Sequence, residues 1–164
     1  MNSSKCLIFS GAGTIGSELT RQLLAMNNEV FIFDIDETMV FSLYEELKQK
    51  GFPVFYGIGD VRNRHSIERT FVDFKPDYVF IASAYKHVSP SALFPRDYVE
   101  TNVLGTLNIL EMAKGCKLIN ISTDKVVHAN SIMGATKRVA EIAVRDAGQI
   151  SVRFGNVLGS RGSV

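Results

Sequence analysis

The sequence predicts an α/β fold: a doubly wound parallel sheet with helices on both of its faces. Three observations support this prediction. Short apolar runs alternate with longer amphipathic segments along the chain, which is the pattern of strands joined by helical crossovers. The apolar runs are mostly continuous rather than alternating, as expected for strands covered on both faces. Six such runs with five crossovers between them favour the strand order 3-2-1-4-5-6.

Each predicted strand is a short run rich in β-branched and aromatic side chains, which favour extended backbone. In chain order the predicted strands are residues 5–10, 29–34, 53–56, 78–82, 117–122 and 150–154. Each predicted helix places apolar residues three or four positions apart, so that one face can pack on the sheet. In chain order the predicted helices are residues 14–26, 38–50, 64–73, 96–114 and 131–147. Glycine is typical just after a helix end, and it follows three of these helices, at Gly51, Gly115 and Gly148.

Charge and composition exclude several classes of function. The chain has 164 residues with 18 Lys and Arg against 17 Asp and Glu, so a basic surface for nucleic acid is not expected. A hydrophobic fraction of 46% is typical of a folded domain and not of disorder. No apolar run approaches the roughly 18 residues that a membrane span needs. Cys6 and Cys116 lie far apart without metal-type spacing, which indicates free thiols in a reducing compartment, so we expect a cytoplasmic protein.

A glycine-rich motif leaves the first strand and opens the first helix: Gly11-Ala12-Gly13-Thr14-Ile15-Gly16. In such a motif Gly11 allows a tight turn, Gly13 lets the backbone approach a pyrophosphate, and Gly16 lets helix and strand pack closely. Thr14 and Ile15 begin the helix, whose N-terminal N–H groups attract phosphate. The motif therefore predicts a dinucleotide site, with an unrelated turn as the alternative.

Asp34 ends the second predicted strand, 18 residues after Gly16. A carboxylate at this place can accept hydrogen bonds from both ribose hydroxyls of an adenosine. It also repels a 2′-phosphate, so NAD is favoured over NADP. The alternative is a solvated aspartate. The nearby Asp36 and Glu37 are expected at the surface or at the start of the next helix.

Two further loops follow strands at the edge where ligands bind in such sheets. Asp60 and Val61 follow the third strand, where Asp60 can meet an adenine amino group while Val61 packs on the ring. An Asp60 that caps the next helix is the alternative. The loop after the fourth strand would let backbone pass close to a cofactor, because it begins with the small residues Ala82, Ser83 and Ala84.

Three polar side chains of different chemistry lie at the end of the fifth strand: Thr123, Asp124 and Lys125. A hydroxyl, a carboxylate and an ammonium side by side can supply a hydrogen bond, a general acid and a general base to one substrate. Taken alone, an Asp-Lys pair on a solvated loop is the favoured alternative. Lys137 lies early in the next helix, where a cation opposes the helix dipole, which suggests a functional partner such as a ribose hydroxyl.

With these residues the chain resembles an extended short-chain dehydrogenase/reductase with a Rossmann fold, and specifically the CapD-type polysaccharide-biosynthesis group of nucleotide-sugar 4,6-dehydratases. The matching segments are residues 11–19, 82–88, 101–106, 122–125, 133–138 and 153–164. The Thr-Asp-Lys triplet and the last two segments are specific to this group. The resemblance implies an NAD(P)-binding domain over residues 1–164 that includes the catalytic loop, without the group's C-terminal substrate domain.

The resemblance also implies a reaction on a nucleotide sugar, with a UDP-N-acetylhexosamine as the expected substrate. Bound NAD takes hydride from C4 of the hexose, a base removes the C5 proton, an acid expels the C6 hydroxyl as water, and hydride returns to C6. By position, Thr123 would hydrogen-bond the C4 oxygen, Asp124 would protonate the leaving hydroxyl and Lys125 would take the C5 proton. Lys137 matches the lysine that binds the nicotinamide ribose. Weaker candidates for substrate contacts are Lys86, Asn102 and Asn156.

One difference from ordinary members of the superfamily separates the candidate functions. Met133 stands where those enzymes have the tyrosine of Tyr-x-x-x-Lys, and a methionine cannot accept a proton. A dehydratase needs the carboxylate and the amine that are present, whereas an epimerase needs that tyrosine. The alternatives left open are an epimerase or reductase, and an NAD-binding module without turnover, which the missing substrate-pocket segments favour. The resemblance also implies a homodimer or higher homo-oligomer formed through the helices 96–114 and 131–147.

Overall fold

Six parallel strands form one sheet in the computed structural model, which describes residues 3–159. The strands are β1 Lys5–Phe9, β2 Glu29–Asp34, β3 Val54–Ile58, β4 Tyr78–Ile81, β5 Lys117–Thr123 and β6 Ile150–Phe154. Their order is β3-β2-β1-β4-β5-β6, and every neighbouring pair is parallel. The predicted fold and strand order are confirmed. The crossover from β3 to β4 reverses the direction of winding, so the switch point of the sheet lies between β1 and β4.

Seven α-helices connect the strands: α1 Thr14–Ala25, α2 Glu37–Gln49, α3 Arg64–Phe74, α4 Val88–Leu93, α5 Pro95–Tyr98, α6 Gly105–Met112 and α7 Ile132–Asp146. The predicted helix 96–114 is not one regular helix, because α5 passes through a π-helical turn, Val99–Leu104, into α6. The sequence analysis did not predict α4, since six residues carry too little periodicity to reveal a helix. A 3₁₀ turn, Asp124–Val126, follows β5.

Two apolar clusters cover the two faces of the sheet, and the central strand β1 contributes to both. Leu7 and Phe9 belong to the cluster under α3 and α6, and Cys6 and Ile8 belong to the cluster under α1 and α2. All four side chains are buried. This is the physical reason why the sequence of β1 is continuously apolar rather than alternating.

Two helices end at glycines, and the edge strand β6 is partly exposed. Gly51 and Gly148 follow α2 and α7 with φ of +77° and +72°, a backbone conformation that favours glycine. The side chains of β6 are more exposed than those of the inner strands, with Ile150 exposed at 62%. Between residues 3 and 159, no helix combines the length and the apolar composition of a membrane span.

Candidate functional site

The glycine-rich loop joins β1 to α1 through contacts that admit no side chain at two of its three glycines. A Cβ on Gly16 would overlap the carbonyl oxygen of Ser10 and lie 2.7 Å from the Gly11 Cα. A Cβ on Gly11 would lie 2.9 Å from Cγ2 of Ile32 on β2. These distances are too short for a side chain, so both glycines are required for the packing of helix against strand.

Gly13 and the start of α1 leave space and free N–H groups instead of packing closely. A Cβ on Gly13 would meet only atoms of Ser10, the nearest at 3.3 Å, so its other side is open. Gly13 is the N-cap of α1 and supplies no side-chain hydrogen bond, and the first turn contains no acidic residue. The first N–H groups of a helix lack intrahelical partners. Those of Thr14 and Ile15 therefore form an anion-binding end that fits a phosphate.

Asp34 lies beside this loop at the end of β2. Its Oδ2 accepts a hydrogen bond from the Ala12 N–H at 3.1 Å, and its Oδ1 accepts from the N–H groups of Ile35 at 2.8 Å and Asp36 at 3.3 Å. The residue is only 7% exposed, so the alternative of a solvated aspartate is wrong. Its carboxylate is fixed next to the glycine loop, where a ribose would follow a phosphate bound at α1. The start of α2 is capped by Asp36, which accepts from the Met39 N–H at 3.0 Å.

Asp60 and Val61 occupy the loop after β3. Asp60 accepts hydrogen bonds from Arg62, from the backbone N–H at 2.9 Å and from Nε at 2.7 Å. Partial burial raises the pKa of Asp60, but the Arg62 hydrogen bonds outweigh it and hold that pKa below its usual value. The cap of α3 is Asn63, which accepts from the Ser66 N–H at 3.2 Å, so Asp60 is not the cap. Val61 is buried, and the contact of both residues with adenine stays a prediction.

The loop after β4, residues 82–88, is held in place by Asn102. The Asn102 Oδ1 accepts from the Tyr85 N–H at 2.8 Å, and its Nδ2 donates to the Tyr85 carbonyl at 3.1 Å and to Oγ1 of Thr136 on α7 at 3.0 Å. Asn102 is 1% exposed and lies in the π-helical turn. Its amide is therefore already engaged by protein groups. Lys86 is exposed in the same loop, and substrate contacts by Lys86 and Asn102 stay predictions.

Thr123, Asp124 and Lys125 meet at the carboxyl end of β5. The Thr123 hydroxyl donates to Asp124 Oδ1 at 3.0 Å, and Lys125 Nζ lies 3.5 Å from the same oxygen. Lys125 Nζ also donates to Oδ1 of Asn156 at 3.2 Å. The hydroxyl of Thr123, followed by the charge of Lys125, holds the pKa of Asp124 below its usual value. The side chains of Asp124 and Lys125 are 61% and 41% exposed, so the group opens to solvent.

Lys137 lies behind this turn, on α7. It is 6% exposed, and its Nζ donates to the carbonyl of Ile121 on β5 at 2.7 Å. Burial lowers the pKa of Lys137 to about 8, against the opposing charge of Glu141. Met133, one turn earlier, is 2% exposed. A buried thioether thus occupies the place where ordinary members of the superfamily that the sequence resembles carry a tyrosine.

The structure therefore brings Thr123, Asp124, Lys125 and Asn156 into one hydrogen-bonded group, with Lys137 bound to the strand that carries it. The glycine loop and Asp34 lie at the same carboxyl edge of the sheet. In the part of the chain from residue 3 to residue 159, no cluster of three His, Cys, Asp or Glu side chains could hold a metal ion.

An ion pair between the buried Glu141 and the half-exposed Arg153 was not predicted from the sequence. Glu141 on α7 is 7% exposed, and both of its oxygens accept from Arg153 on β6. Two signals could have revealed it. Glu141 lies four residues after Lys137 on the buried face of α7, and Arg153 is the one charged residue of the strand β6. Buried charges require partners, so the two residues could have been matched.

Comparison with known proteins shows the family and the fold of the chain. The model of the family described as "Polysaccharide biosynthesis protein" matches residues 6–164. The capsular polysaccharide biosynthesis protein CapD of Staphylococcus aureus is 37% identical over 99% of this chain and 30% of its own length. The crystal structure of Pen from Bacillus thuringiensis superimposes with a TM-score of 0.92 at 35% identity, covering 99% of this chain and 53% of Pen.

A third comparison concerns a protein with a cofactor. The structure of UDP-glucose 4-epimerase from Thermus thermophilus in complex with NAD has a TM-score of 0.73 at 27% identity, covering 91% of this chain and 53% of the epimerase. The chain thus spans about half of these two solved structures and less than a third of CapD.

Proposed function

The chain belongs to the polysaccharide biosynthesis protein family, and we propose that it carries the NAD-binding and catalytic part of a nucleotide-sugar 4,6-dehydratase. The expected substrate is a UDP-N-acetylhexosamine, and the reaction eliminates water across C5 and C6 of the sugar. The observation that carries this proposal is the shared hydrogen bonding of Thr123, Asp124 and Lys125 at the end of β5. A buried methionine in the tyrosine position supports it, because acid and base must then come from Asp124 and Lys125.

The residues of the glycine loop fit an NAD cofactor. The N–H groups of Thr14 and Ile15 and the open side of Gly13 would hold the pyrophosphate. Asp34 would accept from the adenosine ribose with the Oδ2 lone pair that its three backbone hydrogen bonds leave free. Lys137 would hold the nicotinamide ribose. When bound, NAD accepts the hydride from C4 of the sugar and returns it to C6.

Asp124 and Lys125 must change protonation before they can act. In the open site the lowered pKa of Asp124 makes this residue a carboxylate beside an ammonium. A sugar seated over them removes water from both groups, and loss of water favours the neutral form of each. One proton then passes from Lys125 Nζ to Asp124. The result is the neutral amine that a base at C5 needs and the carboxylic acid that the C6 hydroxyl needs.

The two residues then act in sequence on adjacent carbons. Lys125 takes the proton from C5, which the neighbouring C4 carbonyl has made acidic, and Asp124 gives its proton to the C6 oxygen, which leaves as water. Thr123 holds the C4 oxygen in this scheme, as its hydroxyl lies one residue away from the acid. The C4 hydroxyl loses its proton to solvent when C4 is oxidised, and Lys125, whose proton has exchanged with solvent, protonates C5 as hydride reaches C6. Asp124 is then a carboxylate, and Lys125 regains its ammonium proton from solvent, so protons balance.

A mass measurement tests this proposal. The chain is incubated with UDP-N-acetylglucosamine and NAD, and the nucleotide sugar is analysed by mass spectrometry. A dehydratase yields a product lighter by one water, and Asp124→Asn, which changes the acid but not its size, abolishes that product. An epimerase would instead yield an isomer of unchanged mass, which would contradict the proposal.

An NAD-binding unit without turnover is the second candidate function. It is favoured by the exposure of the candidate acid and base, since the side chains of Asp124 and Lys125 are 61% and 41% exposed. In the same assay this candidate predicts NAD binding by calorimetry with no change in the sugar.

We also propose that copies of the chain associate through α6, with its preceding π-helical turn, and α7. Apolar side chains are exposed there: Leu107 at 42%, Val139 at 48% and Ile142 at 38%. Apolar groups on two neighbouring helices favour a symmetric contact. Light scattering should give a dimer or larger species, and Val139→Glu should shift it toward the monomer. A wild-type monomer would contradict this association.

A further inference from the structure

An ion pair between a buried carboxylate and a half-exposed guanidinium joins α7 to β6 close to Lys137. Glu141 lies four residues after Lys137 on α7, and the two side chains are both buried. Arg153 on β6 binds Glu141 with both ends of its guanidinium: Nε donates to Oε1 at 2.9 Å, and Nη2 donates to Oε2 at 2.8 Å. Bidentate pairs of this kind are strong and directional. The pair therefore fixes the edge strand relative to the helix that carries Lys137.

The same strand leads to the candidate catalytic turn. In the register of β5 and β6, Arg153 lies opposite Ser122 and Phe154 lies opposite Thr123. Three residues after Arg153, Asn156 accepts the hydrogen bond from Lys125 Nζ at 3.2 Å. Arg153 and Asn156 thus lie on one short segment that passes the candidate catalytic turn.

Glu141 acts on Lys137 through its charge and not through a direct hydrogen bond. Lys137 Nζ donates its hydrogen bond to the Ile121 carbonyl. Glu141 accepts hydrogen bonds from Arg153 and, at 3.4 Å, from Arg138. Burial lowers the pKa of Lys137 to about 8, and the charge of Glu141 opposes this effect. The other charged or titratable residues on α7 and on the elements packed against it are Arg96, Asp97, Tyr98, Glu100, Glu111, Lys117, Asp124, Lys125, Arg145 and Asp146.

We propose that Glu141 and Arg153 form a positioning pair for the candidate catalytic site: Arg153 orients Glu141, Glu141 stabilises the ammonium form of Lys137, and β6 holds Asn156 against Lys125. Neither residue of the pair touches substrate or cofactor in this scheme. The consequence for turnover rests on the proposed dehydratase function. The electrostatic consequence does not, because it concerns only side chains of this chain.

Titration of Lys137 by NMR tests the pair. The chain is labelled with ¹³C-lysine, and the Lys137 signal is identified by its loss in Lys137→Arg. Glu141→Gln leaves the charge of Arg153 unbalanced, so the midpoint of Lys137 should fall by about half a pH unit or more. Arg153→Gln leaves the charge of Glu141 unbalanced, so the midpoint should rise. If the ion pair only held α7 against β6, the two variants would not shift the Lys137 midpoint in opposite directions.

Two controls keep the result interpretable. Glu46→Gln removes a surface pair with Arg21, whose Nη2 lies 2.8 Å from the Glu46 carboxylate, and should leave the Lys137 midpoint unchanged. If Glu141→Gln does not fold, Glu141→Asp keeps the charge and should keep the midpoint near its wild-type value. Shifts of the same sign in the two pair variants, or no shift, would overturn the proposal. The titration uses no nucleotide sugar, so failure of the dehydratase assay leaves this result intact.

Discussion

Asn102 and Tyr85 are joined by two hydrogen bonds that run in opposite directions. The side-chain oxygen of Asn102 accepts from the Tyr85 N–H at 2.8 Å, and its nitrogen donates to the Tyr85 carbonyl at 3.1 Å. A side-chain amide carries both a donor and an acceptor, so it can satisfy the N–H and the C=O of one residue at the same time. A residue in the π-helical turn thereby holds the loop at the switch point of the sheet.

Loss of this clamp should destabilise the fold. Asn102→Ala leaves two backbone groups of Tyr85 without their partners, and we expect a loss of about 2–3 kcal/mol in the free energy of unfolding, measured in urea. Asn108→Ala is the matched control, since Asn108 makes one such bond, to the Val61 carbonyl at 3.1 Å. It should cost less than half as much. Equal losses in the two variants would contradict the clamp.

Substitutions at two glycines of the loop should have different effects: one should lower stability, and the other should weaken NAD binding. Gly16→Ala places a Cβ against the Ser10 carbonyl, so we expect a loss of about 3 kcal/mol in the free energy of unfolding. Gly13→Ala places its Cβ 3.3 Å from the Ser10 oxygen, a tight contact that a small shift relieves, so it should cost much less stability than Gly16→Ala and still fold. It should nevertheless weaken NAD binding about tenfold or more, because its methyl obstructs the approach of a pyrophosphate. Normal NAD affinity in Gly13→Ala would contradict the proposed pyrophosphate site at Gly13 and the start of α1.

Asp34 should determine both the affinity and the selectivity for NAD. Asp34→Ala removes the proposed ribose acceptor and the bond to the Ala12 N–H, so calorimetry should show NAD binding weakened by tenfold or more. The preference for NAD over NADP should narrow at the same time, since the charge that repels a 2′-phosphate is gone. Asp36→Ala, which removes only the cap of α2, should leave the preference unchanged. An unaltered preference in Asp34→Ala would rule out its ribose role.

Burial of Lys137 should make stability depend on pH. Its pKa in the folded chain is about 8, below the value of 10.5 for an unburied lysine. Between these two values the unfolded chain binds the extra proton, so this residue makes stability rise with pH there. From pH 7.5 to 9.5 its contribution should increase by about 2 kcal/mol.

Urea unfolding at the two pH values gives the change in the free energy of unfolding for the wild type and for Lys137→Met. The difference between these two changes is the contribution of Lys137. The exposed Lys114 provides the comparison, since Lys114→Met should keep the wild-type pH dependence. If Lys137→Met kept it too, Lys137 would not be the group responsible.

Much of this organisation could be predicted from the sequence, and the remainder depends on contacts that periodicity does not encode. The strand order and the glycine loop follow from local patterns. A strand buried on both faces needs a continuous apolar run, and the close packing of α1 on β1 needs glycines at a fixed spacing, so both requirements are visible in the sequence. The hydrogen bond from Asn102 to Thr136 joins residues 34 positions apart, and the Glu141–Arg153 pair depends on how α7 packs against β6. The positions and charges of Glu141 and Arg153 indicate that each needs a partner, but only the packing shows which one.

The central claim is that Lys125 and Asp124 exchange protons with C5 and the C6 hydroxyl of a nucleotide sugar. The most direct measurement is the reaction of UDP-N-acetylglucosamine with the chain and NAD in D₂O, followed by mass spectrometry and NMR of the sugar. The proposed mechanism predicts a product that has lost one water and gained one solvent deuteron at C5, with neither change in Lys125→Ala that still binds NAD. An isomer of unchanged mass without deuterium at C5, or a deuterated product formed equally well by Lys125→Ala, would contradict it.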